Sequence, residues 1–105
     1  MNCTTKYDYV TAELKLSQLY NKAVLLANLK NEGEENLPYI LIITMYDKNN
    51  VMVGMKTEEA VINSSSTVDS TLELVIPPEA VKVKAMVWNS KQEMFPIAKE
   101  KVITP

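Results

Sequence analysis

The feature that most constrains this chain is a two-residue rhythm of apolar and polar side chains. In residues 9–16, YVTAELKL, Val10, Ala12, Leu14 and Leu16 alternate with Thr11, Glu13 and Lys15. Successive side chains of a strand point to opposite faces, so the rhythm gives one apolar and one polar face. Residues 22–30, KAVLLANLK, repeat it through Ala23, Leu25, Ala27 and Leu29, although Val24 and Leu26 make the second face partly apolar. Residues 71–77, TLELVIP, turn Leu72, Leu74 and Ile76 inward and Thr71 and Glu73 outward. Pro77 and Pro78 stop that strand, because proline has no amide hydrogen for the ladder. In residues 81–88, VKVKAMVW, Val81, Val83, Ala85 and Val87 share the core face, and Lys82, Lys84, Met86 and Trp88 share the other.

Residues 37–47, LPYILIITMYD, are apolar on both faces, as in a central strand covered on both sides. DKNN (47–50) is a turn, since Asp and Asn tolerate left-handed backbone. VMVGMKT (51–57) then returns, which makes 39–57 a hairpin. NEGEEN (31–36) and INSSST (62–67) are polar loops. TEEAVINS (57–64) has room for a short helical turn, and AKEKVIT (98–104) is an edge strand guarded by lysines. The count is about seven strands in 105 residues with no convincing helix. The expected fold is all-β: a seven-stranded antiparallel Greek-key sandwich, immunoglobulin-like or fibronectin type III-like, with a closed barrel as the architectural alternative. Residues 1–6 are expected to be a disordered or tag-like N-terminus, and 7–105 one domain. A domain of this size buries about two-thirds of its unfolded surface, enough for a core without staples.

The composition removes most chemistries. Histidine is absent and cysteine occurs once, at Cys3, so an intrachain disulfide, Cys/His zinc sites and histidine-based nucleophile systems are excluded. No basic group is placed to activate Cys3. A net charge of −2 offers no basic stripe for nucleic acid. The longest apolar run, YILIITMY (39–46), is far short of the ~20 residues that cross a bilayer, so no membrane insertion is expected. Glycine-rich phosphate cradles are missing. Glu32, Glu34 and Glu35, and the pair Glu58 and Glu59, invite a glycosidase reading but suit solvated faces better. Asp47, Asn49 and Asn50 resemble a calcium loop, yet the turn itself can occupy those oxygens. Asn63 heads an N-x-S glycosylation pattern, relevant only on a eukaryotic secretory path. Tyr7, Tyr9, Tyr20 and Tyr39 do not fall into one strip by parity. The expectation is no enzyme, no cofactor and no metal.

Trp88, the single tryptophan, is the residue on which function turns. A regular strand sends it to the side of the two lysines, where it is exposed, covered by a loop, or turned inward by a bulge. After the polar turn NSKQ, the segment MFPIA (94–98) brings Met94, Phe95 and Pro96 back within reach. A bare indole leaves a large apolar area in water, which favours a ring that anchors this return loop. The other reading is a partly exposed ring that stacks on a sugar or packs on a neighbouring domain. Trp88, Tyr39 and Phe95 are the candidate ligand or partner contacts.

Two stretches together resemble a known kind of module: ILIITMYDKNNVMVGMK and VIPPEAVKVKAMVWNSKQEMFPIA. They are similar to β-sandwich modules appended to secreted enzymes and surface-layer proteins of Gram-positive anaerobic bacteria. The matching positions are Tyr46 and Asp47, then Lys82, Val83 and Lys84, then Trp88, Asn89, Ser90, Met94 and Pro96, over roughly residues 20–98. Asn89 stands where aspartate is common. The resemblance implies an accessory domain that acts as a spacer or protein-interaction module, outside the cell or at its surface. Its partners would be neighbouring domains of the same polypeptide or another protein, with polysaccharide as the alternative. It carries no catalytic residues across.

Overall fold

The computed structural model describes residues 10–89 and 96–105. The chain runs through β1 (Val10–Leu19), β2 (Lys22–Asn31), β3 (Leu37–Tyr46), β4 (Met52–Ile62), β5 (Ser66–Val75), β6 (Lys82–Trp88) and β7 (Lys101–Ile103). These form a three-stranded sheet, β1-β2-β5, and a four-stranded sheet, β4-β3-β6-β7. Every pairing is antiparallel. The expected all-β sandwich is what the sequence makes, as two sheets rather than a barrel. A constant-type immunoglobulin domain joins its fourth strand to the first, second and fifth. Here β4 pairs with β3 instead, so the constant-type arrangement is excluded and the sandwich remains immunoglobulin-like or fibronectin type III-like. Among the described residues there is no helix, and hence none long and apolar enough to cross a membrane.

The core follows the alternation read from the sequence. Ala23, Leu25, Ala27 and Leu29 of β2 are buried against Leu41, Ile43 and Met45 of β3 and Val83, Ala85 and Val87 of β6. Leu16, Leu25 and Leu72 stand in one cross-strand row, so each supports its neighbour's burial. Each fully buried aliphatic side chain contributes about 1.5–3 kcal/mol.

The double-sided apolarity of β3 has a different cause from the one expected. Ile40, Ile42 and Thr44 are buried, yet they lie outside the core between the sheets. Their cover comes from cross-strand neighbours. Ile40 lies between Glu59 and Trp88, Ile42 between Thr57 and Met86, and Thr44 between Met55 and Lys84. The Thr44 hydroxyl is left without a hydrogen-bond partner.

Three local expectations are corrected. Residues 57–62 continue β4 instead of forming a helical turn, and Ile62 pairs with Leu37. The β-branched Thr57, Val61 and Ile62 favour that extended backbone. The loop expected over 62–67 shrinks to a corner at 63–65, with Ser65 at φ 56°, where the chain crosses from one sheet to the other. Val81, assigned to the core face, is 44% exposed. Its N–H is held by the Tyr46 carbonyl just before β6 begins, so strand parity does not reach it.

The strand directions sort the loops into two ends. One end holds the β1–β2 tip, the β3–β4 turn and the β5–β6 loop, and β7 runs toward it, since Ile103 pairs with Val83. The opposite end holds the β2–β3 loop and the 63–65 corner.

Candidate functional site

Trp88 keeps the parity its sequence implies. It closes β6 on the outward face, opposite Ile40, and is half-buried. The return segment lies beside it as expected: Pro96 bridges to Trp88, and the Ile97 N–H donates to the Val87 carbonyl at 2.9 Å. Met94 and Phe95 lie outside the described residues. Trp88, Met86 and residues 96–100 line an open groove of about 550 Å³. Lys84 Nζ and a Glu100 carboxylate oxygen sit 3.9 Å apart beside it.

Tyr39 does not fill the contact role expected for it. It is 3% exposed, and its hydroxyl lies 2.9 Å from that of Ser70 on the opposing sheet. A ring enclosed between sheets presents no face to a ligand, so Tyr39 is a tie across the core. The tyrosines reach separate places. Tyr20 stands 89% exposed at the β1–β2 tip, whereas Tyr46 lies under Lys82 and Lys84, whose Nζ atoms are 5.1 and 5.6 Å from its ring centroid. Tyr7 and Tyr9, like Cys3, lie outside the described residues.

The acidic residues stay apart. Glu58 and Glu59 pair with Leu41 and Ile40, which face opposite sides of the sheet, so the two carboxylates diverge. Glu32 contacts Lys30 at 3.4 Å, with both side chains exposed. The Asp47 carboxylate accepts the N–H groups of Asn49 at 2.8 Å and Val51 at 3.0 Å, so the turn occupies it. Among the described residues no three acidic, histidine or cysteine side chains converge on a metal position.

The two ends differ in chemistry, which strand parity did not reveal. Leu19, Tyr20, Val51, Met52, Val75 and Val81 are all exposed at the end toward which β7 runs. Tyr20 also holds φ at 57°, in the left-handed region that a bulky residue rarely enters. Such strain costs of order 1–3 kcal/mol and tends to persist at functional loops. The opposite end is polar. Asn31, fully buried, donates from Nδ2 to the carbonyls of Glu35 at 2.9 Å and Ile62 at 3.2 Å. Its Oδ1 accepts from the Gly33 N–H at 2.9 Å, and Asn36 Oδ1 accepts from the Ser64 N–H at 3.0 Å. Sequence parity could have flagged Asn31, which continues the core face of Ala27 and Leu29 as a polar residue before a glycine-bearing loop.

No known protein family and no curated protein matches this sequence. Among solved structures, the chain is similar to a part of the beta-glucosidase from Kluyveromyces marxianus, at a TM-score of 0.57 and 14% identity. The same enzyme in complex with glucose gives 0.55 and 13%. The likeness covers 91% of this chain but 14% of the enzyme chain. Beta-glucosidase 3B from Thermotoga neapolitana, at a TM-score of 0.49, is too distant to add to this. At such low identity the likeness concerns the fold: a β-sandwich that occurs as one segment of a much longer chain.

Proposed function

We propose that this chain is a non-catalytic accessory module of a larger exported or cell-surface protein, of the kind carried by Gram-positive anaerobes. Its work is to space or hold neighbouring domains through its apolar loop end. The observation that carries this reading is the gathering of Leu19, Tyr20, Val51, Met52, Val75 and Val81 at the end toward which the last strand runs. Contiguous exposed apolar patches larger than a few hundred Å² mark contact surfaces. A domain that follows β7 is delivered to that surface by the strand direction. A sandwich forming a small part of a beta-glucosidase is a precedent for such a segment.

The test is calorimetry of a Leu19→Lys and Val51→Lys double variant, in the isolated chain and in the full-length polypeptide. Both side chains are exposed, so the isolated variant should melt within about 0.5 kcal/mol of its parent. In the full-length protein the module's transition should drop by several degrees and separate from that of its neighbour. An unchanged full-length transition would overturn the reading. So would a full-length polypeptide that holds no other domain.

A further inference from the structure

We propose that the free edge of β4 pairs with β4 of a second copy of this chain, antiparallel about Thr57, and so joins two four-stranded sheets into one. The inference is separate from the loop-end contact, because it rests on strand backbone and not on the apolar loops. β4 ends its sheet, and among the described residues no strand pairs with its far side. An edge strand presents a row of unpaired amide and carbonyl groups, which is a template for another strand. At eleven residues β4 is also the longest described strand. The other edges are less open. β7 has three residues. β1 has Ala98, Lys99 and Lys101 beside it, in a depression shared with Ala12, Glu13 and Leu14. β5 receives Lys56 Nζ on its Glu73 carbonyl at 3.0 Å.

The side chains of β4 choose the register. Directly paired residues must belong to the same face, so the two-fold axis passes through a residue. Thr57 is the middle residue of Met52–Ile62, and an axis there overlaps the two copies of β4 from end to end. Lys56 of each copy then stands directly opposite Glu58 of the other. Both side chains are exposed, and two residues apart they share a face. Opposite charges in directly paired positions are favourable, as is the threonine pair at the axis. An axis at Lys56 or at Glu58 sets like charges against each other instead, which is unfavourable. Lys56 can keep its bond to the Glu73 carbonyl, because an ammonium has three donors. The bulge at Met45/Tyr46 disturbs the 52–54 end, so the new ladder is expected over residues 54–60. A contact about a two-fold axis closes on itself and stops at a dimer.

The whole chain is studied by sedimentation equilibrium from about 20 μM to about 1 mM, a range that captures a Kd on the order of 100 μM. A monomer–dimer equilibrium with no larger species is expected. Glu58→Lys should weaken the dimer at least about tenfold, because it sets like charges opposite each other on both sides of the axis. The double variant Lys56→Glu with Glu58→Lys exchanges the two charges and should return the Kd to within about threefold of the parent's. Both side chains are exposed, so the melting temperatures should stay near the parent's. Glu59→Lys should have little effect, since Glu59 stands opposite Met55 of the other copy in this register. Glu13→Lys, on the β1 edge, should have none. The Leu19→Lys and Val51→Lys double variant should dimerise as its parent does. The proposal fails if the chain is still monomeric at about 1 mM, or if exchanging the charges does not restore the dimer. It also fails if Glu59→Lys or Glu13→Lys disrupts the dimer as strongly as Glu58→Lys, or if the loop-end variant abolishes it. None of these failures decides the loop-end reading, whose readout is interdomain calorimetry.

Discussion

The two ends of this sandwich close the same sheets by different means. At the 32–36 and 63–65 end, side chains finish the structure. Asn31 ties the loop to the end of β4, and Asn36 holds the Ser64 amide. The polar groups there are engaged with one another. At the opposite end, backbone bonds share the work with polar side chains: the Asp47 carboxylate accepts two turn amides, Lys82 Nζ donates to Asn50 Oδ1 and Gln18 Nε2 to the Tyr20 carbonyl. Ile76 N–H donates to the Asn21 carbonyl, Val81 N–H to Tyr46, and Asn50 N–H to Asp47. What distinguishes this end is the apolar side chains that also face water there, Leu19, Tyr20, Val51, Met52, Val75 and Val81, with Tyr20 at an unfavourable φ. One end is complete in itself. The other has surface whose burial would be favourable at about 25 cal/mol per Å² of apolar area.

The largest expected effect is at the polar end. Asn31→Ala strands the Ile62 carbonyl and the Gly33 N–H inside the fold. It should destabilise the chain by about 3 kcal/mol, roughly 15 °C in a thermal melt. At the apolar end, Asp47→Ala removes the acceptor for two turn amides. It should cost about 1–2 kcal/mol in urea denaturation with an unchanged m-value. If it cost more than Asn31→Ala, the contrast between the ends would reverse. Tyr20→Asn should act in the other direction. Asparagine tolerates the left-handed backbone, so the variant should gain about 1 kcal/mol in the same denaturation experiment. A loss there would mean that the tyrosine ring is held by contacts its 89% exposure does not suggest. The smallest change is Thr44→Val, away from both ends. It removes a buried hydroxyl with no partner and should stabilise by up to about 1 kcal/mol, read as a rise in the urea midpoint.

Much of the scaffold was legible because burial in a two-sheet fold is set by parity. Leu25, Leu29, Val83 and Val87 fall where their alternation puts them, and Trp88 shares the outward face with Lys82 and Lys84. Tyr39 shows the limit. Residues 37–47 are apolar on both faces, so parity alone does not choose a side for Tyr39, and its hydroxyl suggests a ligand contact until Ser70 is seen to meet it. The run at 57–64 misled because its acidic pair suits a helical turn, whereas pairing with β3 fixes it as strand. The apolar end was illegible for a topological reason. Leu19, Val51, Val75 and Val81 are far apart in sequence, and only strand order and direction bring them to one end. Positive φ at Tyr20 leaves no mark in the sequence, since nothing about a tyrosine between Leu19 and Asn21 announces it.

The most direct test of the account is amide hydrogen exchange on the 105-residue chain alone and within the full-length polypeptide. Exchange reports local opening, so docking appears as added protection where the contact forms. The account expects slower exchange in the full-length protein at residues 19–22, 47–52 and 75–81, with residues 32–36 and 63–65 unchanged. Equal exchange in both, or added protection at the polar end instead, would contradict it.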